Sequence, residues 1–171
     1  MTTDQQIALF ETLDEPRSRV FCGLCMCADL RREEALGLMW TDIEDGKLTV
    51  RRTTTFIRNQ PDEDTSLKTK AAARTIPIPQ ALQDILDDTP RRALYIVPPA
   101  RDQIMTQSAF SRMWLHHVTN LVDFAVRPHM LRHTYASILH VAGVDLKTAQ
   151  YLMGHSNICV TANIIPIWTR S

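Results

Sequence analysis

Two short segments rich in β-branched residues interrupt a chain whose other apolar residues recur mostly at helical spacing. The first segment, residues 47–57, alternates along its length and predicts a β-strand. The second, residues 74–78, predicts a shorter strand. Pro77 and Pro79 place that strand at an edge or end of a sheet, because proline cannot donate a hydrogen bond to a neighbouring strand. We therefore predict the α+β class, a mainly helical domain with a small antiparallel sheet.

Apolar residues at helical spacing predict helices on both sides of these strands. Pro16 breaks the first helix. Pro128 opens a later one, which Gly143 ends, since proline fits the first helical turn and glycine the position after the last. The predicted helices cover residues 7–13, 17–29, 32–40, 82–86, 106–123 and 129–141, with a short one between Asp145 and Gly154. Either Thr106 or Ser108 is the expected N-cap of the helix over 106–123.

A length of 171 residues is that of a single domain with a real core, so residues 1–171 are treated as one domain. No stretch approaches the roughly 18 consecutive apolar residues that a membrane span requires. The opening residues 1–6 lack the basic start and apolar run of a signal peptide. We expect a cytoplasmic protein with no membrane partner.

The net charge is zero, but the basic residues are unevenly distributed. Between residues 51 and 74 the acids are confined to positions 62–64, and the basic residues are Arg51, Arg52, Arg58, Lys68, Lys70 and Arg74. Such a run is usually a solvated face of a strand or hairpin. It also suits a surface that contacts DNA phosphates, even in a neutral protein.

Three of the four cysteines, Cys22, Cys25 and Cys27, lie within the apolar run 20–30. Cys-x-x-Cys is half of a zinc site, but no second Cys or His pair follows at the spacing of a zinc finger. In a buried helix, free cysteine behaves as a small apolar residue. The sequence favours that interpretation and predicts no metal site.

The strongest local signal is the segment His129-Met-Leu-Arg132-His-Thr-Tyr-Ala-Ser137. His129 and Arg132 are three residues apart and share one face of a helix. The Arg132 guanidinium is a permanently charged, planar fork that suits phosphate oxygens, and His129 can exchange a proton near neutral pH. Ordinary surface or capping roles are the alternative for this pair taken alone.

This segment closely resembles the His-x-Leu-Arg-His-Thr-x-Ala-Ser motif of the tyrosine recombinases, which include phage and transposon integrases. Further segments match that family in the same order. Residues 30–43, Leu-Arg-Arg-Glu-Glu-Ala-Leu-Gly-Leu-Met-Trp-Thr-Asp-Ile, resemble its first arginine motif. Residues 68–79 resemble its β-hairpin lysine segment, and residues 152–158 its Leu-x-Gly-His-Ser motif. The resemblance runs from about residue 5 to the end of the chain.

The resemblance implies a role for each matched residue. Arg31 and Arg132 would bind the non-bridging oxygens of the scissile phosphate, and His129 would assist proton transfer at the nucleophile. His155 would donate a further hydrogen bond. Lys68, or Lys70 if the hairpin register differs, would protonate the departing 5′-oxygen. Glu34 would support the arginine motif from behind, and the expected DNA-binding residues are Arg51, Arg52, Lys70 and Arg74.

The same resemblance implies duplex DNA as partner, self-association on DNA, and no metal or other cofactor, because guanidinium and imidazole groups neutralise the phosphate. It also implies that an N-terminal DNA-clamping domain of the family is missing here and that the C-terminal tail is atypical.

The family places its tyrosine nucleophile shortly after the Gly-His pair, and here both candidate positions, Ile164 and Ile165, are isoleucine. Isoleucine has no nucleophilic atom and cannot form the covalent intermediate. Among the other tyrosines, Tyr135 and Tyr151 are predicted to be core aromatics.

Three functional hypotheses follow. The first is a DNA recombination and integration domain whose phosphate-binding residues are intact and whose nucleophile is missing. The second is a non-catalytic DNA-binding regulator or inactive paralogue of a recombinase. The third is a helical interaction domain with no role on DNA, which would have no reason to bring Arg31, Arg132 and His155 together with Lys68.

Overall fold

A computed structural model describes residues 1–62, 73–98, 103–141 and 143–153. Helices make up most of the described chain, with five short strands between the third and fourth helices. The elements in chain order are α1 (Thr3–Thr12), α2 (Pro16–Ala28), α3 (Arg32–Leu36), β1 (Ile43–Glu44), β2 (Lys47–Val50), β3 (Phe56–Ile57), β4 (Gln60–Pro61), β5 (Arg74–Pro77), α4 (Gln80–Asp88), α5 (Gln107–His117), α6 (Pro128–Val141) and α7 (Leu146–Met153).

The main sheet is antiparallel, with the order β1-β2-β5, so β5 lies at an edge as its prolines predict. A separate hairpin pairs β3 with β4. These strands and the surrounding helices confirm the predicted α+β class.

The single strand predicted over residues 47–57 is divided in the structure. β2 ends at Val50, and the backbone N–H of Thr54 donates to the carbonyl of Glu33 at 2.9 Å. Arg52 pairs with Asp42 and also donates to the carbonyl of Gly37 at 3.3 Å. These contacts with α3 and the turn after it draw residues 52–54 out of the sheet, so tertiary bonding overrides local β-propensity.

Two helices are also shorter than their apolar spacing predicts. α3 ends at Leu36, and a 3₁₀ turn over Trp40–Asp42 follows, in which Asp42 accepts a hydrogen bond from the backbone N–H of Met39. α5 ends at His117 and continues as a 3₁₀ turn over Thr119–Leu121. A tighter 3₁₀ turn thus follows each helix where the apolar spacing predicts that the α-helix continues.

α2 lies at the centre of the domain, between α4 and α6. Its Phe21 is fully buried and contacts the ring of Phe110 in α5, with ring centroids 5.0 Å apart. Cys22 and Cys25 are also fully buried in α2, and burial raises the pKa of both thiols. Within the described residues there is no group of three or more His, Cys, Asp or Glu side chains that could hold a metal ion.

Residues of α6 and α7 form a second, smaller apolar cluster that includes Tyr135, Leu139 and Met153. No helix in the described part of the chain is long and apolar enough to cross a membrane.

Thr106 is the N-cap of α5, and its hydroxyl accepts a hydrogen bond from the backbone N–H of Ala109 at 3.2 Å. We expect Thr106→Ala to lower the free energy of unfolding by about 1 kcal/mol, because one N–H of the first turn loses its acceptor. Urea denaturation of the purified variant measures this change. Ser111→Ala is the matched control, since Ser111 is exposed in the same helix and its hydroxyl donates back to the Gln107 carbonyl at 3.0 Å. Equal losses in the two variants would contradict the capping role.

Candidate functional site

A cleft of about 360 Å³ opens between the start of α3 and the start of α6. It is lined by Arg31, Arg32, Glu33, Arg127, Pro128, His129 and Arg132. Four arginines and one glutamate leave this lining with a clear excess of positive charge. The start of α6, with Pro128 and His129, lies at the same cleft, so the positive end of that helix dipole is close to it. The cleft is therefore suited to an anion.

Arg31 is the N-cap of α3, and its extended backbone turns its side chain out of the helix towards the cleft. Glu34, one turn later, accepts a hydrogen bond from the Arg31 backbone N–H at 2.8 Å and one from Arg31 Nη1 at 3.0 Å. These two bonds orient Arg31 while 39% of its side chain remains exposed. Arg31 is held in place and still accessible to a ligand.

Beneath Arg31, Glu34 also binds Arg74 of β5. Both terminal nitrogens of Arg74 lie 3.0 Å from the Glu34 carboxylate oxygens, and the two side chains are almost fully buried. Burial raises the pKa of the Glu34 carboxyl, but the hydrogen bonds and charges of Arg74 and Arg31 outweigh it and hold that pKa below its ordinary value. Glu34 thus supports the first arginine as the resemblance implies.

The prediction that Arg74 binds DNA is wrong. Its side chain is 1% exposed, and its guanidinium is bound to Glu34 and to the backbone carbonyl of Asp29 at 3.1 Å. Alternation along β5 points Arg74 inward, opposite to the exposed Thr75. A buried arginine bonded in this way has no face available for a DNA phosphate.

Arg132 projects from α6 into the floor of the cleft, where 10% of its side chain is exposed. Its Nε and Nη2 donate to the two carboxylate oxygens of Asp29 at 3.0 Å and 2.7 Å. Asp29 itself is fully buried. Burial raises the pKa of the Asp29 carboxyl to about 6, despite the hydrogen bonds and charge of Arg132 that lower it.

Asp29 is a residue of the site that the sequence did not predict. It follows the last residue of α2 and has φ 52°, in the left-handed region that glycine usually occupies. An aspartate at a helix end is typical of a local turn. Nothing in the sequence indicates that its partner is Arg132, 103 positions away. Its position two residues before Arg31 was the available signal.

His129 lies in the first turn of α6, exposed at the rim of the cleft. Its ring meets that of His133, one turn later, edge to face, with centroids 4.4 Å apart. Burial, together with the charges of His129 and Arg132, lowers the pKa of His133. The structure therefore brings His129 and Arg132 to one cleft, as their spacing predicts, and places Arg31 beside them, as the resemblance implies.

Two further cations of the cleft, Arg32 and Arg127, were also not predicted. Arg32 pairs with Glu33 at 2.6 Å and lies over the rings of Phe56 and Phe110, 5.9 Å and 5.7 Å from their centroids. Arg127 precedes Pro128 at the start of α6 and is exposed. Arg32 lies within the first arginine motif and Arg127 two residues before His129, and these positions were the signal for them.

Arg51 and Arg52 differ in their exposure. More than half of the Arg51 side chain reaches solvent, whereas Arg52 is 21% exposed and bound to Asp42. Their contact with DNA stays a prediction. The remaining predicted site residues, Lys68, Lys70, His155, Ile164 and Ile165, lie outside the described residues.

The prediction of two core aromatics is half right. Tyr135 of α6 is buried in the second apolar cluster, and burial raises the pKa of its phenol to about 12. Tyr151 is 62% exposed on α7, so its assignment to the core is wrong. Its helix presents Ala149 and Met153, not Tyr151, to the small second cluster.

Comparison with known proteins finds relatives over nearly the whole chain. The model of the phage integrase family matches residues 1–164. A tyrosine recombinase XerC-like protein of Caldanaerobacter subterraneus subsp. tengcongensis is 31% identical over 95% of this chain and 49% of its own length. Tyrosine recombinase XerA of Pyrococcus furiosus is 28% identical over 99% of this chain and 56% of its own. The chain thus spans about half the length of the curated relatives it matches.

Solved structures share its fold. The Tn1549 transposon integrase in complex with circular intermediate DNA superposes with a TM-score of 0.80 at 20% identity, covering 96% of this chain and 61% of that one. A lambda integrase tetramer bound to a Holliday junction superposes with a TM-score of 0.66 at 18% identity, covering 96% and 47%.

The helical body, the small antiparallel sheet and the order of elements define a domain with the tyrosine-recombinase catalytic fold. A family model matches nearly the whole chain, and this chain belongs to the phage integrase family.

Proposed function

We propose that this chain is a DNA-binding domain of a site-specific recombinase or integrase, and that Arg31 and Arg132 bind one phosphate of the DNA backbone. The observation that carries the proposal is the single cleft into which two distant motifs bring these arginines, together with His129. Guanidinium groups bind phosphate oxygens through paired, charge-assisted hydrogen bonds.

The proposed chemistry is stabilisation of charge on a phosphate under attack. A pentacovalent phosphate concentrates negative charge on its non-bridging oxygens, and fixed donors aimed at those oxygens lower the barrier. Glu34 orients Arg31 for this purpose through two hydrogen bonds. His129 is placed at the rim, where it would exchange a proton with an attacking or departing group. Lys68 or Lys70 and His155 complete this set in the proposal.

A second candidate function is that of a non-catalytic DNA-binding regulator. The isoleucines at 164 and 165 favour it, because neither can attack phosphorus. Such a protein would occupy recombination sites or join oligomers of an active recombinase. Self-association on DNA belongs to both proposals, and the lambda integrase tetramer bound to a Holliday junction is a structural neighbour that assembles in this way.

Binding to duplex DNA should weaken steeply with salt, because each phosphate that the cleft binds releases counterions. We expect the double variant Arg31→Gln/Arg127→Gln to bind more weakly at low salt. The slope of log K against log salt concentration should also be smaller, by about one unit for each phosphate contact that the two arginines make. Fluorescence anisotropy of a labelled duplex across a salt series measures both quantities.

Arg92→Gln is the matched control, since Arg92 is exposed and lies outside the cleft lining. This substitution should change the slope far less than replacement of the two cleft arginines. Absence of binding at low salt, or equal slopes for the wild type and the double variant, would end the proposal that this cleft binds DNA.

A further inference from the structure

A fully buried carboxylate lies directly beneath the cleft. Asp29 holds its position at φ 52°, a conformation that glycine adopts without strain and aspartate only tolerates. The helix end itself therefore does not require aspartate. What the carboxylate adds is its paired contact with Arg132, at 3.0 Å and 2.7 Å.

That contact uses the part of Arg132 that a phosphate would also use. A guanidinium offers paired N–H donors to a planar acid or a phosphate, and Asp29 occupies the pair formed by Nε and Nη2. Within the described part of the chain, Nη1 makes no hydrogen bond. Asp29 thus cancels the charge of Arg132 and leaves a phosphate only the outer end of the guanidinium.

We propose that Asp29 is a built-in counter-anion of Arg132, and that phosphate binding in the cleft is coupled to protonation of the Asp29 carboxyl. The inference rests on the proposed function, because it assumes that the ligand of the cleft is a DNA phosphate. A bound phosphate places negative charge next to the carboxylate and favours its neutral form. By reciprocity, neutral Asp29 strengthens phosphate binding by the same factor.

The surroundings of Asp29 bring this coupling close to neutral pH. Arg132 faces its carboxylate from α6, Arg74 bonds its backbone carbonyl from β5, and Glu34 adds a like charge from α3. Burial raises the pKa of Asp29 to about 6, and an incoming phosphate would raise it further. The other ionisable groups that interact with it, Cys25 and Tyr135, stay neutral because burial raises their own pKa values.

The test compares the wild type with Asp29→Asn, which keeps the shape and the tolerance for a positive φ but cannot ionise. Affinity for a labelled duplex is measured at constant salt. At about pH 8 the variant should bind about tenfold more tightly, and the two proteins should converge near about pH 5, where Asp29 is protonated in both the free and bound states. Histidine protonation affects both proteins alike, so their difference isolates Asp29.

Calorimetry in two buffers of different ionisation enthalpy adds a direct readout. The wild type should take up more protons per bound duplex than Asp29→Asn at neutral pH, a difference that a purely structural role of Asp29 would not produce. Asp29→Gly serves as the second neutral variant if the asparagine variant fails to fold, since glycine adopts this backbone conformation freely. If neither variant folds, proton uptake is measured on a His129→Gln/His133→Gln protein, in which these two histidines cannot take up the proton. No proton uptake by that protein on binding DNA would also overturn the inference.

The inference and the function on which it rests fail in different ways. Equal affinities of the wild type and the folded neutral variant at about pH 8, with salt-dependent binding that still requires Arg31 and Arg127, would overturn the coupling alone. Binding that does not depend on those two arginines would overturn the proposed function.

Discussion

Incubated with a nicked suicide duplex, this chain should accumulate no covalent protein–DNA adduct. The arginines and histidine of the cleft can stabilise charge on a phosphate, but that stabilisation accelerates cleavage only when a nucleophile is aligned with phosphorus. The resemblance implies a tyrosine at position 164 or 165, and both residues are isoleucine. Denaturing gel electrophoresis of the labelled duplex measures the adduct, and the expected effect is a complete absence of the shifted band.

The positive control is a full-length family recombinase that retains its tyrosine, assayed on its own nicked site. In this chain, Ile164→Tyr and Ile165→Tyr test whether a restored phenol suffices. Pro166 limits that rescue, because proline disfavours helical geometry at the residue before it. An adduct formed by the wild type would contradict the prediction, and its loss in Tyr151→Phe would identify the exposed Tyr151 as a displaced nucleophile.

Replacement of Glu34 should have the largest effect on stability among the residues around the cleft. Glu34→Gln removes the charge that compensates Arg74, whose side chain is 1% exposed, and we expect the free energy of unfolding to fall by about 3–5 kcal/mol. A buried guanidinium that loses a paired carboxylate cannot recover that interaction from water. Urea denaturation at neutral pH measures the change.

Glu33→Gln is the matched control, because Glu33 is the preceding residue and pairs with Arg32, and both of these side chains are about one-third exposed. Its change in the free energy of unfolding should stay within about 1 kcal/mol, as for other surface ion pairs.

The contribution of Glu34 to the free energy of unfolding also depends on pH. Because the pKa of Glu34 is lowered in the folded protein, its contribution is present above the ordinary value of 4.5 and is lost as the pH falls through the folded pKa. Similar losses for Glu33→Gln and Glu34→Gln would contradict the buried network.

Much of the site could be read from the sequence because its residues sit in short motifs with fixed local geometry. His129 and Arg132 are three residues apart on a helix, which places them on one face wherever that helix packs. The α3 segment likewise sets Glu34 one turn after Arg31, so the support of the first arginine is a local property. Resemblance to the family then related these separate motifs to one phosphate.

The pairing of Arg74 and Asp29 with distant partners could not be read in the same way. In the sequence, Arg74 is one of several basic residues near a hairpin, and nothing there distinguishes it from Arg51, which stays exposed. Its burial depends on β5 lying against the start of α3, 40 residues away along the chain. The sequence likewise indicates only that Asp29 follows a helix. Its contact with Arg132 exists because α6 packs against α2.

By itself the sequence determined the fold class, the order of the helices, and the family motifs, because helical spacing, β-branching and capping residues act over a few neighbouring positions. Only the tertiary structure decided which charges face the cleft and which neutralise one another beneath it. That division depends on burial, and burial is set by the packing of elements far apart in the chain. The same packing left Arg31 open to a ligand, enclosed Arg74 with Glu34, and placed Asp29 against Arg132.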